Sequence, residues 1–346
     1  MRKLSNCILF AMFVLILLPS YPIAADLAPR GIQTISIKDH KGNEIGIFNE
    51  SHALIIGAVN YTNGWPSLPG VEADVSAVSK ALKDNGFSIE TVIDPDRATL
   101  IKAFEDFIEK YGYSENSRLI FYFAGHGHTV KKGYGSDMGY IVPVEAPNPN
   151  TDLNGFKQIA INMQQIEVYA KDIESKHVLF LFDSCFSGSI FSLSRAVPAN
   201  ISYKTTMPVR QFITSGSANE TVPDESQFRK QFVSALKGAG DVDKDGYVTG
   251  SELGEYLQKN VVNYTEGGQH PQYGKIRNPK LDRGDFVFLL NAGNGADEVD
   301  KAAGNNHTLR GTSDFQKEMI KNQQKLFDEI KRLKKEVEEL KKGRGK

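Results

Sequence analysis

The chain predicts an α/β domain, a mostly parallel sheet with helices on both faces. Apolar runs such as Leu119–Ala124 and Val178–Phe182 proceed without alternation, as strands buried on both faces do. Segments of helical period, such as Val71 to Leu82, stand between those runs. Gly, Asn and Pro signals separate the segments at short intervals, which suits strands alternating with helices.

The elements follow in order. Ile32 to Asp39 alternates apolar and polar, Lys41-Gly42-Asn43 signals a turn, and Glu44 to Phe48 reads as the partner strand. His52 to Val59 is a buried strand. Val71, Val75, Val78 and Leu82 share one face of a helix that ends at Asn85-Gly86. Phe87 to Ile93 is a short strand. Asp94-Pro95-Asp96 opens a helix with Leu100, Phe104, Phe107 and Ile108 apolar, and the strand Leu119–Ala124 follows. Met138 to Val144 reads as a strand, Asn148 to Asn154 as loop and Ile161 to Ile173 as helix. After the strand Val178–Phe182, Ser189 to Thr206 reads as irregular and exposed. Arg210 to Ser215 is a strand and Phe228 to Lys237 a helix. Phe286 to Leu290 reads as a last strand that closes the domain.

Composition narrows the class. Lys and Arg number 41 against 42 Asp and Glu, for a net charge of -1. That balance gives no support for a nucleic-acid partner. Residues 1–25 read as a signal peptide. Arg2 and Lys3 precede an apolar core from Ile8 to Leu18, Pro19 and Pro22 break it, and Ala24-Ala25 suit cleavage. The core is short for a span of about 20 residues, so export is expected; an uncleaved membrane anchor is the alternative. Of the 2 cysteines, Cys7 would leave with the signal, so the mature chain would keep Cys185 alone. No intrachain disulfide could then form, and a lone thiol in an exported chain is unusual.

That thiol stands where a buried strand stops, in Phe182-Asp183-Ser184-Cys185-Phe186-Ser187-Gly188. The Leu119 run ends likewise, in Gly125-His126-Gly127-His128. Strand ends at a sheet rim are where open α/β folds place chemistry. A thiol needs a base to become a thiolate, and His is the usual one. A buried core cysteine is the plainer alternative, but Cys185 follows the apolar run instead of sitting within it.

These blocks carry a resemblance. His52-Ala-Leu-Ile-Ile-Gly57, Leu68-Pro-Gly-Val-Glu-Ala-Asp74 and Phe121-Tyr-Phe-Ala-Gly-His126-Gly127 come first. Gly139-Tyr-Ile-Val-Pro143, Phe182-Asp-Ser-Cys185-Phe-Ser-Gly188 and Ile213-Thr-Ser-Gly-Ser217 follow in order. The span 51–292 thus resembles the caspase-like domain of clan CD, family C14 cysteine peptidases, in the branch of metacaspases and bacterial caspase homologues. The resemblance implies a caspase-like sheet, with Cys185 as nucleophile and His126 as base for the thiol or acid for the leaving amine. His128 is a rival for that role. The backbone N–H groups of Gly127 and Cys185 would hold the oxyanion, each worth roughly 3–4 kcal/mol in comparable sites. Asp183 stands where animal caspases have Gln, and Asp74 matches a second acidic residue of the metacaspase substrate slot. Two carboxylates suit Arg or Lys at P1 of a protein or peptide substrate. Ala124 and Val71 depart from the Ser and Cys common there. The plainer reading makes Asp183 a helix cap and Asp74 a helix surface residue.

Asp241, Asp243, Asp245, Gly246, Tyr247, Thr249 and Glu252 fit the twelve-residue EF-hand template of residues 241–252. Asp241, Asp243 and Asp245 would supply carboxylates, Tyr247 a carbonyl and Glu252 the bidentate closure. Ca2+ is therefore the expected ion, with a structural role favoured over switching, and no organic cofactor is expected. A solvated acidic turn is the alternative. Residues 26–50 form the hairpin segment and 293–312, rich in Gly, Asn and Ala, a linker. In 313–346, Leu326, Ile330, Leu333, Val337 and Leu340 recur at spacings of four and three, as in a coiled-coil seam through which the chain could form a homodimer. The expected function is an exported cysteine endopeptidase. The alternative is a catalytically silent caspase-like module that assembles through its last helix.

Overall fold

The computed structural model describes residues 34–39, 41–134, 137–186, 191–193, 201–217, 220 and 225–290. The signal peptide, the linker and the C-terminal coiled coil expected from the sequence lie outside the described residues.

The strands are β1 (Ile35–Lys38), β2 (Glu44–Phe48), β3 (Glu50–Gly57), β4 (Ser88–Ile93), β5 (Ser117–Ala124), β6 (Gly127–Val130), β7 (Met138–Ile141), β8 (Ile161–Asn162), β9 (His177–Cys185), β10 (Phe191–Leu193), β11 (Val209–Gly216), β12 (Tyr247–Thr249), β13 (Gln272–Ile276) and β14 (Val287–Leu289). The helices are α1 (Gly70–Asp84), α2 (Arg97–Tyr111), α3 (Leu153–Ile159), α4 (Met163–Asp172), α5 (Gln227–Ser234) and α6 (Gly250–Tyr264). Among the described residues no helix is long and apolar enough to cross a membrane.

The main sheet has 7 strands in the order β10-β13-β11-β9-β5-β3-β4. From β11 to β4 every pairing is parallel, whereas β13 runs antiparallel to both β11 and β10. The expected mostly parallel sheet is present. Strict alternation of side chains along buried strands divides its core in two. Phe121, Phe123, Phe180 and Phe182 face α2 and α4. Ile120, Tyr122, Leu179 and Leu181 face α1, α5 and α6. Phe121 and Phe180 stack across adjacent strands at 4.7 Å, and Phe180 and Phe212 at 4.9 Å.

Several expectations are corrected. The span read as irregular from Ser189 to Thr206 contains β10 and a 3-10 turn at Tyr203–Thr206, and Ile201 and Thr205 are buried. The loop read from Asn148 to Asn154 ends in α3, capped by the Asp152 carboxylate on Gly155 N–H. Phe286 to Leu290 does contain the last strand, but outside the main sheet. Its strand, β14, pairs antiparallel with β12 instead. Helix α5 continues into a π turn at Ala235–Ala239 that leads straight to Asp241.

Candidate active site

β5 and β9 lie side by side, with Ala124 paired to Asp183. His126 and Cys185 each lie two positions beyond that rung, so parallel strands deliver both to one edge of the sheet. Two contacts join the strand ends. Ser184 Oγ donates to the Gly125 carbonyl at 2.5 Å, and Gly125 N–H points to the Asp183 carbonyl at 3.4 Å. The Cys185 backbone pairs with Gly216 of β11; its side chain lies outside the described residues.

The loop after β3 builds the surroundings of His126. Asp94 adopts a left-handed backbone, φ 51. Its carboxylate accepts from Val59 N–H at 2.6 Å and from Asn60 N–H at 2.9 Å, which fixes the chain entering Tyr61. Tyr61 Oη donates to the Val142 carbonyl and accepts from His126 N–H at 2.7 Å. A Cβ at Gly125 would meet Tyr61 Oη at 2.7 Å, so this close approach requires glycine. Trp65 covers the imidazole, with ring centroids 4.9 Å apart.

His126 Nε2 lies 2.8 Å from the Pro66 carbonyl oxygen. A carbonyl can only accept, so Nε2 carries the proton and Nδ1 keeps its lone pair. Burial lowers the His126 pKa, and the Pro66 contact opposes that only in part. Burial thus favours the neutral form of the ring. His128 lies in β6, opposite Tyr140, with its ring edge-on to Phe156 at 5.3 Å. Gly127 begins β6, paired with Ile141.

Asp74 and Asp183 are both buried, at 2% and 4% exposure, so neither is a surface residue. Asp183 Oδ2 accepts from Tyr122 Oη at 3.2 Å and from Ser226 Oγ at 2.5 Å. Its Oδ1 and Ser215 Oγ lack a partner of good geometry, although Ser215 is close enough to favour the charged form. Burial pushes the Asp183 carboxyl up to about 6; the Ser226 hydrogen bond opposes this and the Asp74 charge adds to it. Asp74 Oδ1 lies 2.7 Å from Arg229 Nε. The structure therefore brings the predicted acidic pair together.

The family model for the caspase domain, peptidase family C14, matches residues 50–274. The chain belongs to the caspase-domain family. No curated protein matches it. Solved structures similar to this chain include the following two. One is protein GSU0716 from Geobacter sulfurreducens, at 16% identity and TM-score 0.46, covering 69% of this chain and 99% of that one. The other is the Drosophila initiator caspase Dronc, at 12% identity and TM-score 0.45, covering 69% of this chain and 83% of that one.

Reading the sequence missed Tyr61, Trp65, Pro66, Tyr122, Ser226 and Arg229. Loop residues carry no periodicity, so nothing marked Tyr61 or Pro66. Ser226 could have been found as an N-cap, since it stands just before the apolar-periodic helix and accepts from Arg229 N–H.

The loop 241–252 turns through left-handed Lys244 and Gly246. Carboxylate oxygens of Asp241, Asp243 and Glu252 lie within 4.8 Å of one another. Asp241 accepts from Asp245 and Gly246 N–H, and Asp245 from Tyr247 N–H. Thr249 and Glu252 form a capping box at the start of α6. A hard, oxygen-seeking cation fits this donor set. Strand β12 within the loop is held by β14, where paired EF-hands would use a second loop.

Proposed function

We infer that the protein is a cysteine endopeptidase acting on protein or peptide chains. Cys185 sulfur attacks the scissile carbonyl after His126 Nδ1 takes the thiol proton. That proton passes to the leaving amine as the C–N bond breaks, and water hydrolyses the thioester to regenerate the thiol. Backbone N–H groups of Gly127 and Cys185 hold the oxyanion. The observation that carries this reading is the β5–β9 rung, which sends His126 and Cys185 to one edge while Pro66 holds the imidazole in its basic tautomer.

The buried pair Asp74 and Asp183 supports a slot for Arg or Lys at P1. Asp241, Asp243 and Glu252 would hold calcium, whose charge would draw their carboxylates together and brace the junction of α5 and α6. The basic, apolar and small-residue pattern of residues 1–25 supports export, and the seam in 313–346 supports self-association.

Fluorogenic peptides carrying Arg, Lys, Asp or Asn at P1 test the reading, with and without calcium. Cleavage after Arg and Lys, lost in Cys185→Ala, is expected. Silence on every peptide and on unfolded protein would favour the non-catalytic binding module.

A further inference from the structure

The acidic slot already holds a cation. Arg229 Nε lies 2.7 Å from Asp74 Oδ1; the Asp74 side chain is 3% exposed and the Arg229 side chain 19%. One helix turn contacts both acids. Ser226 caps α5 by accepting from Arg229 N–H at 2.9 Å and donates to Asp183, while Arg229 reaches Asp74. A guanidinium on a buried carboxylate is the pairing a substrate arginine would make there. Two cations cannot share one buried carboxylate without mutual repulsion.

We propose that Arg229 is a specificity-determining residue: the chain's own guanidinium occupies the acidic slot, and a basic P1 side chain binds by displacing it from Asp74. This rests on the reading of Asp74 and Asp183 as the P1 slot. Three features support displacement over simple exclusion. Arg229 retains a solvent-exposed flank along which its side chain can leave. Asp183 Oδ1 has only the Ser215 hydroxyl beside it, short of good hydrogen-bond geometry, so it can still accept from an incoming group. Ser226 holds the helix end independently of the Arg229 side chain, so the turn stays in place when the guanidinium swings away. The resident arginine then sets a threshold. A P1 arginine, able to grip Asp74 and Asp183 together, competes with it better than a P1 lysine.

The test compares the full-length protein with Arg229→Ala, Arg229→Lys and the double variant Arg229→Ala/Asp74→Asn. The probe is agmatine, a small guanidinium compound, read by thermal melting. Agmatine should stabilise Arg229→Ala and leave the wild type, Arg229→Lys and the double variant unmoved. On peptides with Arg at P1, Arg229→Ala should raise kcat/KM about tenfold, mainly through KM, as removal of a competitor does. Arg229→Lys, which keeps a cation against Asp74 but loses the planar fork, should fall between wild type and Arg229→Ala on those peptides. Should Arg229→Ala fail to fold, Arg229→Gln, which keeps a neutral donor beside Asp74, carries the same comparison. Equal agmatine response in wild type and Arg229→Ala, or none in either, overturns the proposal. An agmatine shift confined to Arg229→Ala, with no peptide cleaved by any variant, upholds the slot and rejects the peptidase.

Discussion

His126 Nε2 and the Pro66 carbonyl oxygen, 2.8 Å apart, are joined across two loops that sequence separates by sixty positions. The contact decides which imidazole nitrogen can accept a proton. Burial then decides at what pH it can. Because burial lowers the pKa below the ordinary 6.5, the ring stays neutral somewhat into acid. The acidic limb of kcat/KM should therefore fall below pH 6.5. Trp65→Ala uncovers the ring and should move that limb upward. A limb unmoved by the substitution would show that Trp65 is not what desolvates the base.

Asp183 ties stability to pH. Its carboxyl sits at about 6 when folded against an ordinary 3.8, so the folded state binds this proton more tightly. The contribution is full below 3.8 and is lost as pH rises through 6, amounting to at most about 3 kcal/mol. Asp183→Asn stays neutral throughout. Its melting temperature relative to wild type should therefore move in its favour between pH 4 and pH 7. A gap independent of pH would show that Asp183 does not titrate there.

Calcium should raise the melting temperature. Saturation near a hundredfold over Kd corresponds to roughly 3 kcal/mol, or about 5 °C or more for a domain of this size. Asp243 is exposed and lies outside the capping box that Thr249 and Glu252 make. Asp243→Asn should abolish the calcium response while leaving the melting temperature in chelator unchanged. An equal response in the variant would place the ion elsewhere.

Gly125 is closely packed beside His126. A methyl there would lie 2.7 Å from Tyr61 Oη and 3.0 Å from Ala58 Cβ. Gly125→Ala should lower kcat/KM about tenfold or more, because small displacements of a positioned base are costly. Adding Tyr61→Phe frees space and should return part of the rate. Full activity in Gly125→Ala would show that the loop yields.

The central strands were legible because burial on both faces leaves unbroken apolar runs, as in Leu119–Ala124 and Val178–Phe182. The same rule found a strand at Phe286–Leu290 but not its sheet. Phe286 and Phe288 are buried against α5 and α6, yet their backbone pairs with β12 outside the main sheet. A run of apolar residues reports burial and not the partner strand. β13, Gln-Tyr-Gly-Lys-Ile, gave no signal, since its polar residues and glycine break any period. At the candidate site, the placement of His126 and Cys185 at neighbouring strand ends was legible from where the apolar runs stop. Arg229 was not, because an arginine in the first turn of an amphipathic helix looks like solvent-facing charge. Only tertiary contact across 155 positions reveals its partner.

The pairing of Ala124 with Asp183 reaches beyond this one molecule. Main-chain hydrogen bonding, indifferent to side-chain identity, fixes how far apart the two strand tips stand. Surrounding loops are thereby released to lengthen, shorten or change character. A lineage built on such a scaffold can alter what it recognises while leaving its reactive geometry untouched.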